Sequence, residues 1–316
     1  MALLQKLLDL RITPVRFDLE ARSTLRTPEY KGALLRGGFG YFYRNMMCTT
    51  GAPSCEGCPH LTSCAYSVVF ETPTAKDESS PLKKVPHAPH PFIMVPPLDG
   101  RSSIPEGAHQ FVDITFIGAG VSHLPDFIRV FEAMGASGKF GGAFKVSGVR
   151  SLTGAKPLLY DGRTRRTLAS PIPWTPERIV RDFRRVHLQF LTPLRMRTRG
   201  DYNSNPAFGD VAQSLIGRLH LLSMVHGSGS ADREWTRSLL RQADFVVTEQ
   251  RHFMPFEWGH TSGSQARRVR YDGVVGALSA RGELGELVLA LQAGELLNIG
   301  SNTSMGLGKF RAIFEE

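Results

Sequence analysis

The order of the predicted elements along the chain limits the possible folds more than any other feature. In the first half, alternating apolar residues predict strands, and apolar residues three or four positions apart predict helices. The predicted strands cover residues 15–22, 67–71, 111–117 and 143–152, and the predicted helices cover residues 30–47 and 125–134. Strand, helix, strand, strand, helix, strand is the order of one ferredoxin-like unit.

The same order returns in the second half of the chain. Predicted strands cover residues 186–196, 245–258, 268–278 and 309–314, and predicted helices cover residues 206–226 and 283–297. We therefore predict an α+β protein with two tandem ferredoxin-like, RRM-like domains. The domains are expected at residues 1–165 and 179–316, joined by a segment that Pro171, Pro173 and Pro176 stiffen.

Length and composition agree with two globular domains. The chain has 316 residues, of which 41% are hydrophobic, enough for ordinary cores. No apolar run approaches the ~20 residues of a membrane span. The first ten residues are too short and too interrupted by charge for a secretory signal. We expect a cytoplasmic protein without a membrane partner.

All four cysteines fall in one loop, residues 48–64, which we predict to be an insertion in the first domain. Cys48, Cys55, Cys58 and Cys64 are the ligand type and number of a tetrahedral structural zinc site. Metal binding would fold a segment with little apolar material of its own. An iron–sulfur cluster uses the same ligands, and a disulfide or free-thiol loop is the alternative without metal. His60 lies inside the loop and is a candidate substitute ligand.

A glycine-rich segment, residues 298–308, precedes the last predicted strand. Small residues let backbone amides approach an anion. The segment lacks the Gly-Lys-Ser/Thr ending of a nucleotide P-loop, and a basic strand follows, so RNA is the better ligand. The alternative is a plain connection from helix to strand. The residues expected to contact phosphate are Gly300, Ser301, Asn302, Thr303, Ser304, Gly306, Gly308 and Lys309.

The charge balance also favours a polyanionic partner. Thirty-eight Lys and Arg against twenty-nine Asp and Glu give a net charge of +9. Guanidinium groups bind phosphate through paired hydrogen bonds, which favours nucleic acid over an acidic membrane surface. The arginines expected to hold RNA are Arg36, Arg195, Arg197, Arg267, Arg268 and Arg270.

Several motifs together resemble the CRISPR precursor-RNA processing endoribonucleases of the RAMP superfamily. The segment from Ile299 to Gly308 follows the pattern Gly-apolar-Gly, five residues, Gly-apolar-Gly, with Asn298 in place of the first glycine. Further matches are the sequence YKGALLRGGFGY at residues 30–41, CAY at 64–66, TPLR at 192–195 and YDGVVG at 271–276. The resemblance implies two ferredoxin-like domains, binding of CRISPR repeat RNA, and metal-independent cleavage of precursor crRNA to a cyclic phosphate.

That cleavage chemistry directs attention to the first long helix. Attack of a 2′-hydroxyl on phosphorus needs a general base, a general acid and a cation near the phosphorane. Related enzymes often place a histidine on or just after this helix, where this chain has Tyr41. Tyr41 and Arg44 share a face opposite the apolar seam of Leu35, Phe39 and Phe42, and are the first catalytic candidates. The remaining candidates are Lys31 and Arg36 for charge, and the loop histidines His60 and His123.

Two further hypotheses fit the same residues. The first is an RNA-binding subunit of a CRISPR effector complex that has lost cleavage, favoured by the absence of a histidine from the helix. The second is a zinc-dependent nucleic-acid binder unrelated to CRISPR, favoured by the cysteine loop and the charge. Cleavage of a labelled repeat RNA in EDTA separates the enzyme from both.

Overall fold

The computed structural model describes residues 2–74, 82, 88–176, 182–198, 200–229, 233–262 and 267–316; of residues 2, 257–262 and 267–272 it describes the backbone alone. The chain divides into two compact units, Arg11–Trp174 and Met1–Leu10 with Thr175–Glu316. We call them the N-terminal unit and the C-terminal unit.

The first ten residues belong to the C-terminal unit, which differs from the predicted boundary at residue 1. They form a helix, α1 (Ala2–Asp9), that the sequence analysis did not identify. Leu3, Leu7 and Leu10 are fully buried, and α1 packs against two helices of the C-terminal unit. Burial of these three leucines explains why the segment joins that unit.

The N-terminal unit is a six-stranded antiparallel sheet with two long helices. Its helices are α2 (Gly32–Met47) and α3 (Leu124–Ser137). Its strands are β1 (Thr13–Ala21), β2 (Leu25–Arg26), β3 (Phe92–Val95), β4 (Ser103–Ile104), β5 (His109–Phe116), β6 (Phe144–Ser151), β7 (Leu158–Asp161) and β8 (Arg166–Thr167). The order in the sheet is β3-β5-β1-β6-β7-β8, and β2 pairs separately with β4. Aromatic rings fill the core between helices and sheet, with the Phe39 and Phe127 ring centroids 4.5 Å apart.

The strand that follows α2 in this unit is not the predicted one. The segment expected to be extended at residues 67–71 is a short π-helix, Ser67–Glu71, and the strand is Phe92–Val95. Val69 and Phe70 are buried. A short apolar run has no periodicity that distinguishes a strand from a buried helical turn, which explains the error.

The buried face of α2 also differs from the predicted seam. Leu35 and Phe39 are buried as expected, but the next buried residue is Tyr43, which is 0% exposed. Phe42 is half-buried, and Met46 is 43% exposed. The seam therefore follows a spacing of four, and it leaves Tyr41 on the outer face.

The C-terminal unit repeats the arrangement with a four-stranded sheet. Its further helices are α4 (Phe208–His226), α5 (Glu234–Ala243) and α6 (Leu287–Leu297). Its strands are β9 (Arg185–Leu194), β10 (Arg197–Thr198), β11 (Asp201–Tyr202), β12 (Val247–Ser262), β13 (Arg267–Arg281) and β14 (Phe310–Glu315). The sheet order is β12-β13-β9-β14, and β10 pairs with β11 in a small hairpin.

Both sheets place their first long strand between the strands that come directly before and after the last helix of the unit. In the N-terminal unit β1 lies between β5 and β6, and in the C-terminal unit β9 lies between β13 and β14. The predicted mixture of helices and sheets is confirmed. Among the described residues, none of the helices combines the length and the apolar character needed to cross a membrane.

Candidate functional site

The glycine-rich segment closes on itself and on the end of β9. α6 ends at Leu297, and Asn298 adopts a left-handed φ of 53°. The Ile299 amide donates to the Gly308 carbonyl at 3.0 Å, and the Ser301 amide donates to the Arg195 carbonyl at 2.7 Å. The Gly308 amide donates to the Pro193 carbonyl at 2.9 Å. These bonds hold the segment against residues 193–195.

Backbone packing explains two of the three glycines. Gly300 has φ +82°, and a Cβ there would lie 2.4 Å from the Arg195 carbonyl oxygen. Gly308 has φ +70°, and its Cβ would lie 1.7 Å from the Ile299 carbonyl oxygen. Both positions therefore exclude other residues for reasons internal to the fold.

The predicted cradle of bare amides is correspondingly smaller than expected. The amides of Ile299, Ser301, Gly306, Gly308 and Lys309 all donate within the protein. Residues with positive φ bring amides and carbonyls of the segment close enough to bond to one another. The sequence does not show which amides are used in this way. Thr303, Gly306 and Gly308 are buried. The half-exposed members of the predicted set are Gly300, Ser301, Asn302, Ser304 and Lys309.

Lys309 is directed toward α6 instead of outward. Its ammonium donates to the Glu295 carbonyl, and its amide donates to Thr192 Oγ1 at 2.8 Å. Burial raises the pKa of the Glu295 carboxyl. The contact of Lys309 with phosphate stays a prediction; in this structure its ammonium bonds near the end of α6, where a helix C-terminus attracts a cation.

Two predicted arginines lie beside the glycine-rich segment. Arg195 Nη1 donates to Asn302 Oδ1 at 3.0 Å. The guanidinium carbons of Arg195 and Arg197 lie 4.5 and 4.7 Å from the ring centroid of Tyr202, which is 44% exposed. The structure therefore brings together two arginines, an aromatic ring and the glycine-rich segment, and the sequence analysis missed Tyr202. The signal was its position three to seven residues after the clustered Arg195, Arg197 and Arg199.

The other predicted arginines do not join this group. Arg267, Arg268 and Arg270 lie in β13, opposite Ser262, Thr261 and Gly259 of β12, and their side chains lie outside the described residues. Arg36 is in the other unit. Its guanidinium carbon lies 4.1 Å from the Phe70 ring centroid, and Nη2 lies 3.2 Å from His90 Nε2. Burial lowers the pKa of Arg36 to about 10, and its guanidinium packs against aromatic rings of the core.

Tyr41 remains the accessible candidate on α2. Its side chain is 58% exposed, and its ring contacts the Phe42 ring edge-on at 5.5 Å. Arg44 donates to the Ala52 carbonyl, and its guanidinium carbon lies 5.6 Å from the Tyr66 ring centroid. Arg44 therefore also anchors the start of the cysteine loop.

Lys31 is not available to a ligand. It is 3% exposed, its ammonium lies 3.3 Å from an Asp99 carboxylate oxygen, and it donates to the Glu29 carbonyl at 3.2 Å. That Lys31 adds charge to the site stays a prediction; in this structure Asp99 neutralises its ammonium inside the fold. An isolated buried charge costs too much free energy to remain unpaired.

A partly buried chain of polar groups lies where α2 meets α3. The Tyr43 hydroxyl is 3.3 Å from His123 Nδ1, and His123 Nδ1 is 3.2 Å from Asp126 Oδ2. Burial, followed by the charge of Asp126, raises the pKa of Tyr43. Asp126 also pairs with Arg129. A carboxylate that contacts one ring nitrogen sets the tautomer of the imidazole and leaves the other nitrogen for chemistry. Tyr43 and Asp126 were not predicted.

The four cysteines line one small cavity of about 10 Å³ together with His60. All four are free thiols. Thr50 Oγ1 lies 3.7 Å from Cys48 Sγ and 3.9 Å from Cys58 Sγ. In the part of the chain that the structure describes, no three His, Cys, Asp or Glu side chains are arranged to bind a metal ion. The residues share a cavity but do not form the tetrahedral ligand set that zinc requires.

The thiols differ in acidity. A hydrogen bond from Thr50 lowers the pKa of Cys48, and burial raises the pKa of Cys55. His60 is exposed, and its carbonyl accepts bonds from the amides of Ser63 and Cys64. His60 therefore lies in a turn of the cysteine loop and lines the same cavity as the thiols.

Two protein-family models match the chain. A model described as an N-terminal domain, AF_1859_N, matches residues 10–171, and the model of CRISPR-associated endoribonuclease Cas6 matches residues 188–310. The second match contains Arg195, Arg197, Tyr202 and the glycine-rich segment. No curated protein matches the sequence.

Solved structures share the fold along nearly the whole chain. The Cas6 (TTHB231) product complex has a TM-score of 0.57 at 15% identity, covering 96% of this chain and 99% of that chain. Thermus thermophilus Cas6 (TTHB231) has a TM-score of 0.52 at 16% identity, with 96% and 98% covered. A partial Cas6-RT-Cas1--Cas2 complex has a TM-score of 0.55 at 11% identity, covering 96% of this chain and 46% of that one. Likeness at these identities establishes a shared fold.

Proposed function

This chain belongs to the Cas6-type endoribonucleases of the RAMP superfamily, and we propose from that premise that it binds CRISPR repeat RNA and cleaves precursor crRNA within the repeats. The observation that carries the proposal is the match of the Cas6 endoribonuclease model to residues 188–310, the part that holds the arginine and glycine-rich group. The family match supports this activity, and the geometry supports a polyanionic ligand at that group.

We assign the ferredoxin-like fold to both units. The support is that each has the chain order β-α-β-β-α-β, with the first strand between the third and the fourth. The sheet of the N-terminal unit then continues through β7 and β8. Two units of this kind offer several helices and strands on which arginine side chains can contact the RNA backbone.

The proposed RNA contacts in the C-terminal unit are Arg195, Arg197 and Asn302, with the half-exposed Gly300, Ser301 and Ser304 beside them. Arg267, Arg268 and Arg270 on β13 are proposed to add backbone contacts. Phosphate contacts supply most of the affinity for RNA and depend on salt concentration. Repeat RNAs that fold as hairpins are then held largely by shape.

Cleavage is proposed to proceed by attack of the 2′-hydroxyl on the adjacent phosphorus, without a metal. The bond between phosphorus and the 5′-oxygen breaks, and a general acid protonates the leaving oxygen, so the products are a 2′,3′-cyclic phosphate and a 5′-hydroxyl. Tyr41 is the first candidate to orient the 2′-hydroxyl and take its proton, because its side chain is 58% exposed on the outer face of α2. Arg44 is three residues away and supplies positive charge for the phosphorane.

His123 is the second candidate for proton transfer. Asp126 contacts its Nδ1, so Nε2 is left to accept or donate a proton. Its side chain is 20% exposed. Tyr43 is then a positioning residue, because its hydroxyl approaches the same Nδ1.

A second function is a non-cleaving RNA-binding subunit of a CRISPR complex. The residues of α2, Gly32–Met47, include no histidine, which favours this alternative. A chain of the solved partial Cas6-RT-Cas1--Cas2 complex shares this fold. We propose association with CRISPR effector subunits for either function.

Zinc binding by Cys48, Cys55, Cys58 and Cys64 stays a prediction from the sequence. Its support is that the four thiols line one cavity. Against it, their positions in the described part of the chain do not form a metal-ligand set. The proposed cleavage uses Arg44 of α2, which bonds to the loop through the Ala52 carbonyl, and no residue of the loop itself.

Incubation of the purified protein with labelled repeat RNAs in EDTA tests the proposal. Cleavage in EDTA that a 2′-deoxy substitution at the cut site abolishes supports the enzyme. Tight binding without cleavage supports the non-cleaving subunit. Failure to bind any repeat RNA contradicts both proposed functions.

A further inference from the structure

A pocket of about 150 Å³ in the C-terminal unit is lined in part by Arg195, whose carbonyl accepts the Ser301 amide of the glycine-rich segment. We propose that it binds one unpaired nucleobase of the RNA ligand, with the adjoining phosphate on Arg195 and Arg197. The inference rests on the proposed function and deepens it, because it adds recognition of a single base to backbone binding.

The pocket forms where two strands separate. Leu194 pairs with Val274 at the end of β9, and beyond this pair the chain turns away through Arg195 and Met196. The gap is closed on the far side by Pro255 and Phe256 of β12. Strand separation therefore leaves a space with backbone and apolar side chains on several sides.

The walls suit a flat aromatic guest. Phe256, Met196 and Val274 supply apolar surface, and Tyr202 and Ser204 supply polar groups at the opening. Sequence-specific readers of single-stranded RNA stack splayed bases on aromatic rings and bond to their edges. The volume is below the roughly 300–1,000 Å³ of pockets that enclose drug-sized ligands, so the fit is to one ring system.

Two guanidinium groups lie at the same opening. Arg195 and Arg197 both approach the Tyr202 ring, and both direct Nη2 to its hydroxyl. Arg195 also bonds to Asn302. A nucleotide whose base enters the pocket has its phosphate within reach of this pair, and guanidinium is the preferred partner of phosphate.

The wall that carries Tyr202 is held in place before any ligand arrives. Thr198 and Asn203 both bond to the Asp210 carboxylate, at 3.2 Å each, and this carboxylate also accepts the Ala207 amide at 2.9 Å. Arg251 Nη1 donates to the Asn205 carbonyl at 3.0 Å. These bonds tie the β10–β11 hairpin to the start of α4 and to β12. A preformed site loses less conformational entropy on binding.

Abasic scanning of a bound RNA tests the proposal. The probe is a fluorescein-labelled repeat RNA carrying a 2′-deoxy nucleotide at the cut site, and a set of copies each lacking one base. Wild-type protein is expected to bind one copy about 5- to 150-fold more weakly than the intact RNA, the effect of one stacked base. Phe256→Ala is expected to weaken binding of the intact RNA by a similar factor and to show no further loss with that copy.

Two variants guard against a folding artefact. Phe256→Leu keeps an apolar wall and is expected to show an intermediate abasic penalty. Phe245→Ala removes an aromatic ring that is 78% exposed and lies outside this pocket, and it is expected to behave as wild type. Thermal unfolding of each variant confirms that the domain is intact.

The outcomes separate this inference from the proposed function. Binding and cleavage of repeat RNA with no sensitive position, or a penalty that persists unchanged in Phe256→Ala, overturns the base pocket alone. Absence of binding to every repeat RNA overturns the proposed function and the pocket with it.

Discussion

Replacing Gly308 with alanine separates two reasons for the glycine. If glycine is needed for backbone packing, Gly308→Ala destabilises the C-terminal unit; if it is needed only to admit phosphate, stability is unchanged and RNA affinity falls. The structure favours the first reason. An alanine Cβ would lie 1.7 Å from the Ile299 carbonyl oxygen, at a φ of +70°.

The expected cost has two sources. A left-handed backbone costs an alanine roughly 1–2 kcal/mol relative to the right-handed region. Relief of the clash moves Gly308 away from Ile299 and Pro193 and breaks two backbone hydrogen bonds of 3.0 and 2.9 Å. At about 0.5–1.5 kcal/mol for each bond, the total loss of unfolding free energy is about 2–5 kcal/mol.

Urea unfolding followed by circular dichroism measures this loss, and thermal unfolding should show a fall of about 2–4 °C for each kcal/mol. Gly217→Ala is the matched control. Gly217 is exposed in α4, with no atom within 4 Å of its Cβ position, so alanine there should stabilise by up to about 1 kcal/mol. A Gly308→Ala protein as stable as wild type would refute the packing argument.

Further variants test the site and the fold. Tyr41→Phe should slow cleavage by about 10²- to 10⁴-fold if its hydroxyl moves a proton, while Asn45→Ala on an exposed part of the same helix leaves the rate unchanged in single-turnover assays. Full activity of Tyr41→Phe moves the role to His123, for which His123→Ala is the test. Arg195→Ala should reduce the slope of log affinity against log salt by about 0.7–0.9, against no change in Arg241→Ala on the exposed face of α5. The pKa of Asp99 is lowered to about 2 in the folded protein. Burial acts to raise this pKa, but hydrogen bonds from Arg101 and Gln110 and the charge of Lys31 outweigh the effect of burial. Because this pKa is depressed, Asp99 adds stability that is fully present above pH ~4 and disappears as pH falls toward 2. Solvent screening at this exposed carboxylate limits the contribution to about 1 kcal/mol or less. Urea unfolding across this range should show a weaker pH dependence in Asp99→Asn, and equal slopes would contradict the assignment. Elemental analysis should find one zinc per chain if the cysteine spacing predicts correctly, and a Cys55→Ser protein as metal-rich as wild type would count against a four-thiol site.

Periodicity predicted most long elements but not those whose identity depends on contacts. The predicted helices around Leu35 and Leu215 are present, and so are the central strands around Phe17 and Leu188. The segment at 67–71 was misassigned because a short apolar run is compatible with either backbone conformation. α1 was missed because it packs against α4 and α6, which begin about two hundred residues or more further along the chain.

The candidate site was predicted in part for the same reason. Arg195, Arg197 and the glycine-rich segment were identified as neighbours in function, and the bond from Arg195 to Asn302 places them together. Lys31, Arg36 and Lys309 were identified by charge, which says nothing about burial. Their side chains are held by Asp99, by aromatic rings and by a helix end, respectively.

The sequence alone determined the duplicated order of strands and helices, the excess of positive charge, the clustering of the cysteines and the family motifs. These properties depend on residue type and spacing along one chain. Only the tertiary structure decided which amides and cations are already bonded within the protein. It also decided that Tyr202 lies beside two arginines and that Tyr43, His123 and Asp126 meet. Those facts depend on distances between segments far apart in sequence, which local patterns do not contain.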